Sequence, residues 1–187
     1  MIVKKDEELI KACTQGDHAA FDILFKKYAR PLTFFIDQIL HNRNRAEDIF
    51  QDTFIKVLEN AGKFDNRYKF STWIYRIALN LCINELRKRQ RENRRIYSQN
   101  MDNIYCNILD RIPYLTTPVD ILEKKECANR INDALSYLSV SKRTAFVLKF
   151  YHHLSYEEIG EIMNCSTGTV KSRIHYAVEK IQVIVRE

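Results

Sequence analysis

Between Leu154 and Gln182 the apolar residues fall into two short helical stripes parted by a brief polar break, and no other pattern in the chain restricts the fold as much. Ser155 stands three residues before Glu158, the spacing of a capping box that starts a helix, and Ile159 and Ile162 follow at helical intervals. Asn164-Cys165-Ser166 breaks the pattern. A second helix is predicted from about Thr167, with Val170, Ile174, Ala177, Val178 and Ile181 on one stripe. Its other side carries Thr169, Lys171, Ser172, Arg173, His175 and Tyr176. Such a pair is either a helix-turn-helix or an amphipathic hairpin with a solvated basic face. Short polar side chains and cations near a helix start suit base edges and phosphates, which favours the first.

Helical spacing governs the rest of the chain too. Asp6 to Gln15 reads as a short helix ended by Gly16, and Asp17 can cap the next, where Phe21, Leu24, Phe25 and Tyr28 repeat. Pro31 is expected to interrupt or restart that helix before Leu32, Phe35, Ile36 and Ile39. After a polar turn at His41–Asn44, Arg45 to Asn60 forms a third helix with Ala46, Ile49, Phe50, Phe54, Val57 and Leu58 on its apolar face. Gly62 to Lys69 is a loop, and Ser71 is expected to cap a fourth helix reaching about Arg91. From about Ile96 periodicity is lost, and Asn, Asp, Pro and Thr mix with aliphatic residues; this stretch is a linker or an irregular loop packed on one domain. Helical spacing returns near Asp120 (Ile121, Leu122, Ala128, Ile131, Ala134, Leu135, Leu138), and Ser141 is expected to cap the helix before the pair described above. The expected fold is all-α: two small helical domains, 5–95 and 120–187, joined by a flexible linker at 96–119.

Composition narrows the function. A net charge of +6 permits a polyanionic partner, and six cations against one acid crowd RKRQRENRR from Arg87 to Arg95. The five cysteines are scattered without a CxxC pair, which fits reduced thiols. The charged start and the lack of a bilayer-length apolar stretch suggest a soluble, cytoplasmic protein without membrane insertion. There is no phosphate-binding GxxxxGK[ST] loop and no acid cluster paired with histidine, so no catalysis, metal, cofactor or small-molecule substrate is expected.

Two further constellations stand out. The third helix carries Glu47, Asp48, Gln51, Asp52 and Glu59 away from its apolar face, either an ordinary solvated surface or a dock for a basic protein. In the following loop and helix Phe64, Tyr68, Phe70, Trp73 and Tyr75 lie among Lys63, Arg67, Lys69 and Arg76. Rings stack on any unpaired base while cations hold phosphates. Arg76, Asn80, Asn84 and Arg87 share one helical face, and mid-helix Asn has little reason to be there on propensity grounds. Phe70, Trp73, Ile77 and Leu81 read as core.

The runs AEDIFQDTF, FSTWIYRIALN, LSYEEIGEIM and GTVKSRIHYA, in this order and over nearly the whole chain outside the linker, resemble an extracytoplasmic-function sigma factor of bacterial RNA polymerase. The resemblance implies a promoter-directing subunit that binds core polymerase and helps melt the minus-ten element. It assigns core-polymerase binding to Asp48, Gln51, Asp52 and Phe54. It assigns the minus-ten element to Lys63, Phe64, Tyr68, Lys69, Trp73, Tyr75, Arg76, Asn80, Asn84 and Arg87. The minus-thirty-five element would meet Thr169, Lys171, Ser172, Arg173, His175 and Tyr176, with Lys142, Arg143 and Lys149 on phosphates. Implied partners are core RNA polymerase, promoter DNA and an anti-sigma factor. The competing expectation is a stand-alone helix-turn-helix regulator that binds duplex DNA without polymerase.

Overall fold

A computed structural model describes residues 4–97 and 130–186, and the described residues are helices, turns and loops. Helix α1 (Asp6–Cys13) lies on α2 (His18–Leu40), where Asp17 caps by accepting from the Ala20 N–H at 3.1 Å. Asp6 ties the two together: its carboxylate accepts from Lys27 Nζ and from the Tyr28 hydroxyl, each at 2.7 Å. The α2 helix passes through Pro31 without a break. The absent amide costs one helical hydrogen bond, but Tyr28 and Leu32, Phe35, Ile36 and Ile39 beyond it are all buried, and packing on both sides outweighs the local penalty.

His41 ends α2 in the left-handed region, and Asn42 caps α3 (Arg43–Asn60) by accepting from the Arg45 N–H at 2.9 Å. The α3 helix buries Ala46, Ile49, Phe50, Phe54 and Val57, whereas Leu58, expected inside, is 47% exposed. A 3-10 turn at Ala61–Lys63 leads to α4 (Phe70–Tyr97). Ser71 is therefore inside the first turn rather than its cap. The Phe70 N–H donates instead to Glu7 of α1 at 2.9 Å, an acidic partner that helix periodicity cannot reveal.

The second described stretch opens with helical residues 130–136 (α5), followed by α6 (Val140–Phe150), α7 (Tyr156–Met163) and α8 (Thr167–Arg186). The cap of α6 falls two residues earlier than the expected Ser141: Ser139 occupies the capping position, without a side-chain capping bond. Ser155 and Glu158 form the expected capping box on α7. Leu135, Leu138, Val147, Leu148, Ile159, Ile162, Val170, Ile174 and Ala177 make the core of this part. The expected linker lies outside the described residues except that α4 reaches Tyr97. The two stretches are packed together: α7 and the turn before it lie on α4, and α6 lies on α2.

What holds α3 to α4 is an ion cluster. Arg45 donates to both Glu85 oxygens at 2.9 Å and Arg89 adds a third bond at 3.1 Å, while the Glu85 side chain is largely buried. The hydrogen bonds from Arg45 hold the Glu85 carboxyl below its ordinary 4.5 against the opposing effect of burial. A carboxylate with a depressed native pKa contributes fully above the unfolded value and loses its contribution as pH falls through the folded one. We expect Glu85→Gln to lower unfolding free energy by roughly 1–3 kcal/mol at neutral pH. In urea titrations the gap to the parent chain should narrow below pH 4.5; equal midpoints at neutral pH would show that the cluster contributes nothing.

Candidate nucleic-acid interface

Three surfaces carry the residues singled out above. On α3, Asp48, Gln51 and Asp52 are exposed along one face, and Asp48 accepts from Arg45 at 2.9 Å. Phe54 does not join them. It is 3% exposed, inside a ring cluster with Phe25 at 5.0 Å, Phe50 at 5.1 Å and Phe21 at 5.8 Å. Its place on the outer face is taken by Ile55 (53% exposed) with Leu58 beside it. An acidic and amide rim around two bare aliphatic side chains suits a protein surface better than solvent or DNA. The signal was present in the sequence, since Ile55 follows Gln51 and Asp52 at helical spacing.

The second surface is the loop before α4 and the outer face of α4. Asp65 makes a tight turn by accepting from the Arg67 N–H at 3.0 Å, while the Tyr68 N–H donates to its carbonyl at 3.0 Å. That turn leaves Tyr68 projecting, 52% exposed, beside exposed Lys63 and Lys69. Phe64 and Trp73 are half-buried with centroids 5.1 Å apart, so each stays partly accessible while packing the other. Arg76, Asn80, Asn84 and Arg87 form a continuous exposed stripe, and Asn84 and Arg87 share a shallow depression with Gln90 and Arg91. Among the described residues Arg76 and Arg87 have no ion pair, so their charge is available to an anion. Tyr75 stands apart. It is 4% exposed, edge-on to Phe35 at 5.1 Å, and shares a 2.8 Å hydrogen bond with His152 of the C-terminal part. Lys69 is also engaged there, 2.8 Å from a Glu158 oxygen.

The third surface is α8. Ser166 accepts from the Thr169 N–H at 3.2 Å and its hydroxyl lies 2.9 Å from that of Thr169, fixing the helix start. Lys171, Ser172, His175 and Tyr176 are exposed, while Thr169 and Arg173 are half-buried, the latter reaching Cys165 Sγ at 3.4 Å. Lys142 lies 3.1 Å above the Tyr176 ring, and His175 pairs with Glu179 at 3.3 Å. Lys149 is half-buried and donates to the Leu154 carbonyl at 3.2 Å. Arg143 corrects an expectation: it is 4% exposed and bonded to the Leu138 carbonyl at 3.4 Å, so it braces the interior of α6 instead of offering charge to phosphates.

The chain matches the family model of sigma-70 region 2 over residues 24–92 and that of sigma-70 region 4 over residues 128–181. It is 35% identical to the ECF RNA polymerase sigma factor SigW of Bacillus subtilis, spanning 100% of this chain and 98% of that protein. It is 31% identical to the RNA polymerase sigma-H factor of Pseudomonas aeruginosa, over 98% and 97% of the two chains. Among solved structures it is similar to the sigma factor RpoE of Bartonella quintana, seen with the anti-sigma factor NepR. That match has 25% identity and a TM-score of 0.67, over 89% of this chain and 96% of the other. CnrH, solved with the cytosolic domain of CnrY, shares the fold with a TM-score of 0.68 at 19% identity, over 97% of each chain.

The angle at which α8 is presented depends on one small residue that periodicity passes over. A Cβ on Gly160 would lie 2.8 Å from the Cys165 carbonyl oxygen. That peptide cannot retreat, because the N–H groups of Asn164 and Cys165 both donate to the Gly160 carbonyl and Asn164 already sits at φ 50°. Gly160→Ala should cost about 1–3 kcal/mol and lower the thermal midpoint by a few degrees. A thermal melt superimposable on that of the parent would show that the turn has slack.

Proposed function

The chain belongs to the extracytoplasmic-function sigma factors of bacterial RNA polymerase, and on that footing we propose how its residues divide the work of promoter recognition. It binds core polymerase, directs it to specific promoters and helps open the minus-ten element. One observation carries the residue reading: two separate exposed faces, an amide and cation stripe on α4 and a polar basic one on α8, stand on the two regions that the family models match. A stand-alone duplex regulator would leave the α3 rim and the α4 stripe without purpose.

The α3 surface of Asp48, Gln51, Asp52, Ile55 and Leu58 docks on core enzyme, with Phe54 holding the helix from beneath. Tyr68 and the accessible parts of Phe64 and Trp73 take bases as the duplex opens. Arg76, Asn80, Asn84 and Arg87, with Lys63 and Lys69, hold and read the melted strand. Opening costs about 1.4 kcal/mol of stacking per step, and each base caught on a ring recovers roughly 1–3 kcal/mol. A few captures trap a bubble without fuel. On α8 Lys171, Ser172, His175 and Tyr176 read the minus-thirty-five element, with Thr169 and Arg173 at the helix start and Lys142 and Lys149 near the phosphates. The regulator is an anti-sigma protein, the class of partner seen with the sigma factor RpoE of Bartonella quintana. The site of action is the cytoplasm. No helix of the described residues is long and apolar enough to cross a membrane.

Transcription of fragmented genomic DNA by core polymerase, with and without this chain, tests the function: discrete new starts sharing two spaced upstream elements are expected. Tight duplex binding by the chain alone, with no starts, would favour the stand-alone regulator. Arg76→Ala and Asn80→Ala should each cut permanganate reactivity of promoter thymines about tenfold while sparing core binding. Lys171→Ala and Ser172→Ala should relax preference at the upstream element by roughly 1–3 kcal/mol per base contact. Unchanged preference across a promoter library would remove α8 as the reader.

A further inference from the structure

On the exposed side of α8 one side chain differs in kind from its neighbours. Lys171, Ser172 and His175 offer hydrogen-bonding groups, whereas Tyr176 offers a ring that is 49% exposed. That ring is held. The Lys142 ammonium lies 3.1 Å from its centroid, the shortest approach of a cation to a ring among the described residues. The next, both on Tyr156, are Lys149 at 4.6 Å and Lys171 at 5.4 Å. An ammonium over the face of a ring is attracted by the negative charge concentrated there.

Both ends of the contact stand on packed backbone. Lys142 belongs to the first turn of α6, and Arg143 to Leu148, which follow it, are all buried. Tyr176 lies between Ile174 and Ala177, the buried residues that seat α8. Lys142 forms no ion pair among the described residues, so the ring is its partner. The ammonium occupies one face of the ring and leaves the other to solvent.

A ring presented in this way selects its partner by chemistry. In the major groove the bases show hydrogen-bonding groups, and thymine alone adds an apolar one, its C5 methyl. We propose that Lys142 is a positioning residue that holds the Tyr176 ring against a thymine methyl in the upstream element, so that it contributes base preference instead of phosphate affinity. The inference rests on the reading of α8 above and deepens it, with Lys142 moved from the phosphates to the ring. Burying one methyl is worth about fourfold in binding. A ring free to rotate away loses that contact.

The test uses holoenzyme assembled from core polymerase and the full chain, competed between promoter fragments that carry thymine or uracil at each thymine of the upstream element. Uracil pairs as thymine does and lacks only the methyl. The parent is expected to lose about fourfold at one position on uracil replacement. Lys142→Gln, which removes the charge, should bind thymine and uracil there equally, with its salt dependence unchanged. Lys142→Arg should restore the preference, because a guanidinium also stacks on a ring. Tyr176→Ala should abolish the preference, and adding Lys142→Gln to it should change nothing further. Thermal melts superimposable on that of the parent show that each variant is folded.

A uniform loss of affinity in Lys142→Gln, with the salt slope lower by about one, marks a phosphate contact and overturns the proposal. So does a thymine preference that survives in Lys142→Gln but not in Tyr176→Ala, which leaves the reading of α8 standing. Tolerance of uracil at every position overturns it too. If Tyr176→Ala, Lys171→Ala and Ser172→Ala then also keep the parent's preference across a promoter library, the reading of α8 fails with it.

Discussion

A 28-residue helix, α4, has to satisfy three environments at once, and most other features of the molecule answer to that demand. One side buries Phe70, Ile74, Ala78 and Cys82 in the N-terminal core. Glu85 fixes its position through Arg45 and Arg89, and Glu7 receives the first amide. A second side meets α7 and the turn before it. A third, bearing Arg76, Asn80, Asn84 and Arg87, is left to solvent. A helix anchored on two sides cannot roll, so the third keeps one orientation, and donors that do not need reorganising lose less on binding.

The chemistry of the exposed faces follows from what surrounds them. Aliphatic side chains inside an acidic rim on α3 favour a folded protein with basic character. Guanidinium groups spaced along α4, without an ion pair among the described residues, favour a phosphate chain. Polar groups of moderate length over the first turns of α8 favour base edges in a duplex. The depressions on α4 and α8 are shallow and open to solvent. Function in such a molecule lies in placing several weak contacts at once, each worth little alone.

Much of this was legible in the sequence. The capping box at Ser155 and Glu158, the cap at Asp17, the left-handed stop at Asn164 and the buried stripe of α8 all reflect local rules. Pro31 was misleading because burial of Leu32, Phe35 and Ile36 acts over a distance that local propensity does not register. Tyr75 and Arg143 were assigned to DNA by their place in motifs, yet both are buried, and Phe54, grouped with the polymerase-binding residues, lies inside as its apolar face predicts; a motif records that a residue matters without recording which way it points. Leu58 erred in the opposite direction, at the edge of a stripe where one position decides the side. The packing of the two described stretches, with Lys69 meeting Glu158 across 89 positions, has no local signature at all.

Helix α8 is mounted from its hidden side by Val170, Ile174, Ala177 and the close approach at Gly160, while Lys171, Ser172, His175 and Tyr176 are exposed and touch only other surface groups, as Tyr176 does Lys142 and His175 does Glu179. Those four positions are free to drift with little thermodynamic consequence. If these positions read the promoter as proposed, a duplicated copy of such a chain can acquire a new genomic address in a few substitutions and remain foldable throughout. Along α4 the exposed stripe is interleaved with Tyr75 and Glu85, which are committed to neighbours on either side, so change there is more confined. On the reading proposed above, diversification within one cell would run through the exposed face of α8 first, with the face of α4 changing slowly behind it.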